Sequence, residues 1–377
     1  MTAPALVISV PETDTSPRRI AAIDGLRGLS IVLVLLYHCY SRWADLLPWA
    51  ARYRYFVLCE HGGLGVNLFF IISGFVIFMT LHNCRTFGEF IYRRWLRLFP
   101  AMSLATLLMY LSADLLPERP VGTLALKDTI PGLVFIDPGI INRIFPLEVK
   151  VIEGAFWSIF VEVKFYLIFG ALYFISKDRA LSYLSLLFLA TWICLNIPSN
   201  LAAVHQDLLY ALTKILSLHH MGWFLMGALL YQAYNVGSKR SGVLSAFVLP
   251  LAVLADSGES AQIFFVCVLL YAVFVATLFN KSFAKLFASR FFLFWGFISY
   301  PLYLIHQNIL VALTIKTHAV FPDLPGLLTP LPGVGAVVMV SYLLAQYGEP
   351  LLKKWIVIIL GSRGLGYTNR HRPSKAE

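Results

Sequence analysis

Ten apolar runs punctuate the chain, at 26–43, 64–81, 98–115, 155–175, 181–197, 219–234, 242–254, 261–279, 291–315 and 331–348. Short polar segments separate them. A helix that crosses a bilayer needs roughly 20 mostly apolar residues. Most runs approach that length; the seventh is the shortest. The pattern predicts an all-α, polytopic integral membrane protein of about ten transmembrane helices. Composition agrees, with 59% hydrophobic and 13% charged residues among 377. Soluble domains hold about 45–50% apolar and about 25% charged residues. A soluble fold could not hide this excess, and disorder requires low hydrophobicity, so both classes are excluded.

Charge adds orientation. With ten spans and a cytoplasmic N-terminus, 20 of the 30 Lys and Arg fall in cytoplasmic segments, nine fall outside, and Lys164 lies in a span. Twelve of the 20 acidic residues fall outside. Basic residues gather on the cytoplasmic side of membrane proteins, so both termini are expected there. The net charge of +10 is then read as topology and headgroup contact, not as nucleic-acid binding. The five cysteines (39, 59, 84, 194 and 267) show no CxxC spacing and no disulfide framework. No signal peptide is expected, and no internal repeat is visible. The expected organisation is a cytoplasmic segment at 1–19, one membrane domain at 20–350, and a basic cytoplasmic tail at 351–377.

Ionisable residues within spans are costly, so each is a functional candidate. Arg27 and His38 lie eleven residues apart in the first span. On a helix this is about 1100°, within roughly 20° of three turns, so both point to one face about 16 Å apart. Asp24 precedes them in Asp24-Gly-Leu-Arg27-Gly. Glu162 lies in the fourth span, with Ser158 and Tyr166 four residues to either side on the same face, and Trp157 beside them. Glu162 either takes part in chemistry or forms an interhelical salt bridge. Arg94 and Arg97 share a face at the start of the third run, where guanidinium groups suit phosphate capture but topology alone also predicts arginine. Ser73 sits in a small-residue stretch of the second span. Tyr303 and His306 share a face after Pro301. His219 and His220 read as interfacial. With no HExxH and no Cys cluster, no metal site is expected.

These motifs, in this order, resemble the membrane-bound acyltransferase family 3. The matching elements are Asp24-Gly-Leu-Arg27-Gly with the Arg27-x10-His38 pair, Gly65-Val-Asn-Leu-Phe-Phe running to Ser73-Gly-Phe, Arg94-x-x-Arg97 ending at Pro100, Trp157-Ser158 with Glu162 and Phe165-Tyr166, and Ser299-Tyr-Pro-Leu-Tyr303-Leu-Ile-His306. They cover about 20–350. The resemblance implies an O-acyltransferase, most simply an O-acetyltransferase, of the cell inner membrane. It implies acetyl-CoA or another acyl-CoA as donor substrate, with no permanently bound cofactor. The acceptor would be a hydroxyl of an exported polysaccharide or lipid-linked sugar. In this reading Arg27, Arg94 and Arg97 hold donor phosphates, and His38 is general base or transient acyl carrier. Glu162 orients that imidazole or binds the acceptor. Asp24, Ser73, Trp157, Ser158, Tyr166, Tyr303 and His306 support the site. Trp43, Trp49, Tyr53 and Tyr55 are candidate stacking surfaces for sugar rings. Some relatives carry a further extracytoplasmic domain, which is not expected here. The competing expectation is a secondary transporter or exporter of a sugar-containing molecule, whose buried ionisable residues sit near broken helices and internal repeats.

Overall fold

A computed structural model describes residues 17–47, 50–53, 55–196, 206–256 and 260–361. Among these there is no β-strand, and each of the ten apolar runs is mostly helical where it is described, the first and third ending in turns after Tyr40 and Leu111. The main helices are α1 (Pro17–Tyr40), α2 (Gly65–His82), α3 (Phe87–Leu111), α4 (Phe156–Ile175), α5 (Ala180–Asn196), α6 (Met221–Val236), α7 (Lys239–Asp256), α8 (Ala261–Phe279), α9 (Arg290–Val320), α10 (Leu331–Leu343) and α11 (Glu349–Gly361). Six helical stretches are long and apolar enough to cross a membrane: Ala21–Tyr40, Gly62–His82, Phe156–Ile175, Ala261–Phe279, Arg290–Val320 and Leu331–Leu360. The last joins α10 to α11 through a π-helical turn at Leu344–Gly348. The helix runs on to Gly361, within the segment 351–377 expected to form a basic cytoplasmic tail. The chain before Pro17 and after Gly361 lies outside the described residues.

The helices form one bundle around α9. In the apolar window of α9, 78% of the residues are buried, against 17% for the α10–α11 stretch, so α9 is central and the latter peripheral. α1 packs along α9, α2 along α6, and α1 also against α2. Small residues permit this closeness. A Cβ at Gly28 would overlap the carbonyl of Phe292 on α9, and one at Gly74 would overlap the carbonyl of Phe224 on α6. Close backbone approach is the usual way to gain contact between helices in lipid, where apolar burial alone does not discriminate. Large apolar side chains such as Phe247, Phe265 and Ile359 stand exposed on the outside of the bundle. Bare apolar surface of this kind suits lipid.

Local signals fix the helices that carry the candidate site. Thr86 caps α3 by accepting from the Glu89 N–H at 3.1 Å, and Glu89 accepts in return from the Arg85 N–H at 2.9 Å. These caps start the helix one turn or more before Arg94 and Arg97. Pro301 lies inside α9 and removes one backbone donor there.

Candidate functional site

Two cavities run into the bundle from opposite ends of α1, and residues Val66 and Tyr303 line both. The first encloses about 720 Å³, part of it open to solvent. Its walls carry Arg27, Arg94, Arg97, Ser73, Ser158, Glu162, Tyr166, Ser299 and Tyr300. The second encloses about 1030 Å³, also partly open, and is lined by Tyr37, His38, Arg42, Glu60, His61, Trp157 and Gln307 among others. They are called here the arginine cavity and the histidine cavity.

In the arginine cavity the guanidinium groups are held from several sides. Arg27 Nη1 pairs with Asp24 Oδ1 at 2.7 Å. Arg94 Nη2 donates to Thr80 Oγ1 at 2.5 Å and its guanidinium stands 5.9 Å from the Tyr166 ring. Arg97 lies 5.2 Å from the Tyr300 ring and 4.0 Å from Glu349. Arg94 Nε is buried and has no hydrogen-bond partner. A buried guanidinium N–H of this kind suits an anionic oxygen as acceptor. Glu162 Oε1 accepts from Tyr166 Oη at 2.6 Å and from the Ser73 hydroxyl. Ser158, Glu162 and Tyr166 all line this cavity, as their four-residue spacing on α4 requires.

The histidine cavity is organised by an imidazole pair. His306 Nδ1 lies 2.9 Å from the Tyr303 carbonyl, and His38 Nδ1 lies 2.8 Å from the Val34 carbonyl. Each Nδ1 must carry a proton to make those contacts. His306 Nε2 is then an acceptor, 3.3 Å from His38 Nδ1. The His38 proton is shared between the Val34 carbonyl and His306. His38 Nε2 keeps its lone pair. The two rings meet edge to face with centroids 4.6 Å apart. Tyr303 joins the cavities: its hydroxyl lies 2.7 Å from Ser158 Oγ.

The expected catalytic, donor-binding and supporting residues fall in or beside these cavities, with some changes of partner. Arg27 and His38 share α1 but open into different cavities, which adjoin at Tyr303. Glu162 sits with the arginines, and His306 is the residue bonded to His38. Trp157 lines the histidine cavity and Ser73 the arginine cavity. The histidine cavity takes its aromatic walls from Tyr37 and Trp157, not from Trp43, Tyr53 or Tyr55. Trp49 lies outside the described residues.

One residue was not singled out by sequence. Glu153 is fully buried in the segment just before α4. Its Oε2 accepts from the Asn308 N–H of α9 at 3.2 Å, while Oε1 has no partner. Burial pushes its carboxyl up to about 8, against the pull of the Asn308 contacts and of Arg119. In the sequence it is one of several acids in a long hydrophilic stretch, and nothing in its spacing marks it.

The family described as an acyltransferase domain matches residues 20–346 of the chain. The O-acetyltransferase OatA of Staphylococcus aureus, strain NCTC 8325 / PS 47, is 24% identical over 329 residues, covering 78% of this chain and 51% of the relative. The same protein from strain COL matches equally. The chain thus spans about half the length of the curated relatives it matches. No solved structure gives a significant match.

Proposed function

The chain belongs to this acyltransferase family, and from that premise we propose that it transfers an acetyl group from acetyl-CoA to a hydroxyl of an exported polysaccharide or lipid-linked sugar. The observation that carries the reading is the meeting of an arginine-lined cavity with a histidine-lined one at Tyr303. In it the arginine end faces the cytoplasm of the cell inner membrane, with ten spans and both termini inside. The six apolar stretches support insertion in a membrane, and the excess of basic residues in the segments assigned to the cytoplasm supports the orientation.

The donor is a polyanion with a long neutral arm. Arg27, Arg94 and Arg97 would meet its phosphates, and the free Arg94 Nε–H fits an added anionic oxygen. The arm then runs between helices towards Tyr303, which brings the thioester to the wall shared by both cavities. The acceptor hydroxyl arrives through the histidine cavity. His38 Nε2 takes its proton as the oxygen attacks the thioester carbonyl. The C–S bond breaks as the C–O bond forms, and the proton passes to the departing thiolate to give free CoA. His306 is a positioning residue, since accepting from His38 Nδ1 fixes the tautomer that leaves Nε2 basic. Glu162 orders Ser73 and Tyr166 on the donor side and balances part of the arginine charge.

Inverted membrane vesicles given radiolabelled acetyl-CoA test this. Wild type is expected to label a glycan, and His38→Ala to abolish labelling while the protein still accumulates. Full labelling by His38→Ala would overturn the mechanism.

A further inference from the structure

Outside both cavities, three candidate metal ligands converge where the turn before α6 meets the end of α7. His219 and His220 form that turn, and Asp256 is the last residue of α7. One ligand atom from each lies within 4.8 Å of the other two. The cluster is sheltered: the His220 and Asp256 side chains are each 11% exposed. His219 Nδ1 and His220 Nδ1 are both buried without a hydrogen bond. His220 Nδ1 lies 2.8 Å from Asp256 Oδ1, yet the pair lacks hydrogen-bond alignment. Two adjacent imidazoles thus hold unsatisfied nitrogens next to a carboxylate oxygen.

The surrounding groups orient these ligands. Trp223 Nε1 donates to Asp256 Oδ2 at 2.8 Å, which steadies the carboxylate and leaves Oδ1 for the cluster. The Thr213 carbonyl interacts with the His219 ring. Because Nδ1 has no partner, that contact falls to Nε2–H and leaves Nδ1 as the lone-pair nitrogen. Outer hydrogen bonds of this type commonly hold metal-ligating histidines and carboxylates in place. Asp256 also closes the C-terminal end of α7, where the helix dipole favours a cation.

We propose that His219, His220 and Asp256 bind one divalent transition-metal ion of the Zn²⁺ type. Two imidazole nitrogens and one carboxylate oxygen suit this class, with a fourth position left for water. Metal–ligand bonds of about 2.0–2.2 Å place tetrahedral ligand atoms roughly 3.3 Å apart. The His220–Asp256 contact would open from 2.8 Å to that distance, and His219 would close in. The ion would clamp the start of α6 to the end of α7. The His220 ring stands 5.2 Å from the Trp157 ring, which lines the histidine cavity. The clamp therefore backs a wall of that cavity. The proposal stands independently of the acyl-transfer reading. Spacing along the chain does not reveal the cluster, because Asp256 reaches the two histidines only through helix packing.

The test uses the full chain in detergent, stripped with a chelator, desalted, and reloaded with Co²⁺ or Zn²⁺. Wild type is expected to retain about one equivalent of Zn²⁺ by elemental analysis and to show visible ligand-field absorption with Co²⁺. Asp256→Asn and His219→Gln should each retain less than about a tenth of that. Added Zn²⁺ should raise the wild-type unfolding temperature and leave Asp256→Asn unmoved. The Co²⁺ spectrum needs no variant, so a folding failure in the variants leaves the test intact. Wild type without retained Zn²⁺ or Co²⁺ absorption would overturn the proposal, as would variants that hold metal like wild type.

Discussion

The two cavities differ in how they treat charge. The arginine cavity gathers three guanidinium groups around one carboxylate, and pairs them only in part: Arg27 with Asp24 at 2.7 Å, Arg97 with Glu349 at 4.0 Å, and Arg94 with a neutral hydroxyl. The histidine cavity centres on two imidazoles bonded to each other and to backbone carbonyls. The first presents a concentration of positive charge. The second presents a neutral imidazole pair in which His38 Nε2 keeps its lone pair. Tyr303 lines both. On the proposed reading, one holds the donor and the other carries the reaction. Variants on either side should therefore fail in different ways.

The largest effect is expected at His38. His38→Ala should lower turnover by about 10²–10⁴-fold, the range for losing a positioned general base. Single-turnover transfer checks this. Next is the double change Arg94→Gln with Arg97→Gln. Hydrogen bonds to charged groups are worth about 1.5–3 kcal/mol each, so the apparent KM for the donor should rise at least tenfold while that for the acceptor changes little. An equal rise for both would erase the contrast between the cavities. Glu162→Gln keeps an oxygen that can accept from Ser73 and Tyr166 but removes the charge. Transfer should fall about tenfold, about 1.4 kcal/mol and near the low end for losing a hydrogen bond to a charged group, with insertion unchanged. Wild-type turnover would return Glu162 to packing.

The last expected change concerns stability, not turnover, and lies outside both cavities, at Glu153. Its carboxyl holds a proton in the folded chain up to about 8, whereas an unfolded chain releases it near about 4.3. Between those values the folded state binds more protons, so stability falls as pH rises. The loss from pH 5 to pH 8 is at most about 4 kcal/mol. Thermal unfolding in detergent across this range should show a flatter profile for Glu153→Gln.

The sequence made the helices legible because runs of the length needed to cross a bilayer leave little alternative. It also placed Ser158, Glu162 and Tyr166 on one face, because phase along a single helix follows from spacing. Contacts between helices were not legible. His38 and His306 stand 268 positions apart, and spans that are apolar all round carry no amphipathic stripe to show which face meets which partner. For the same reason spacing did not show that α4 turns Glu162 into the arginine cavity while α9 supplies His306 as the neighbour of His38. Burial of Glu153 was hidden similarly, since it depends on how a polar segment folds back against α9. The π-helical turn at Leu344–Gly348 likewise carried the last helix past the expected boundary.

In the proposed reaction, donor holding and acyl transfer belong to different cavities. Binding of a non-hydrolysable acetyl-CoA analogue, measured by calorimetry on purified protein, separates the two. His38→Ala is expected to bind the analogue like wild type, and the Arg94→Gln, Arg97→Gln variant at least tenfold more weakly. Loss of binding in His38→Ala, or wild-type binding in the double arginine variant, would contradict this division.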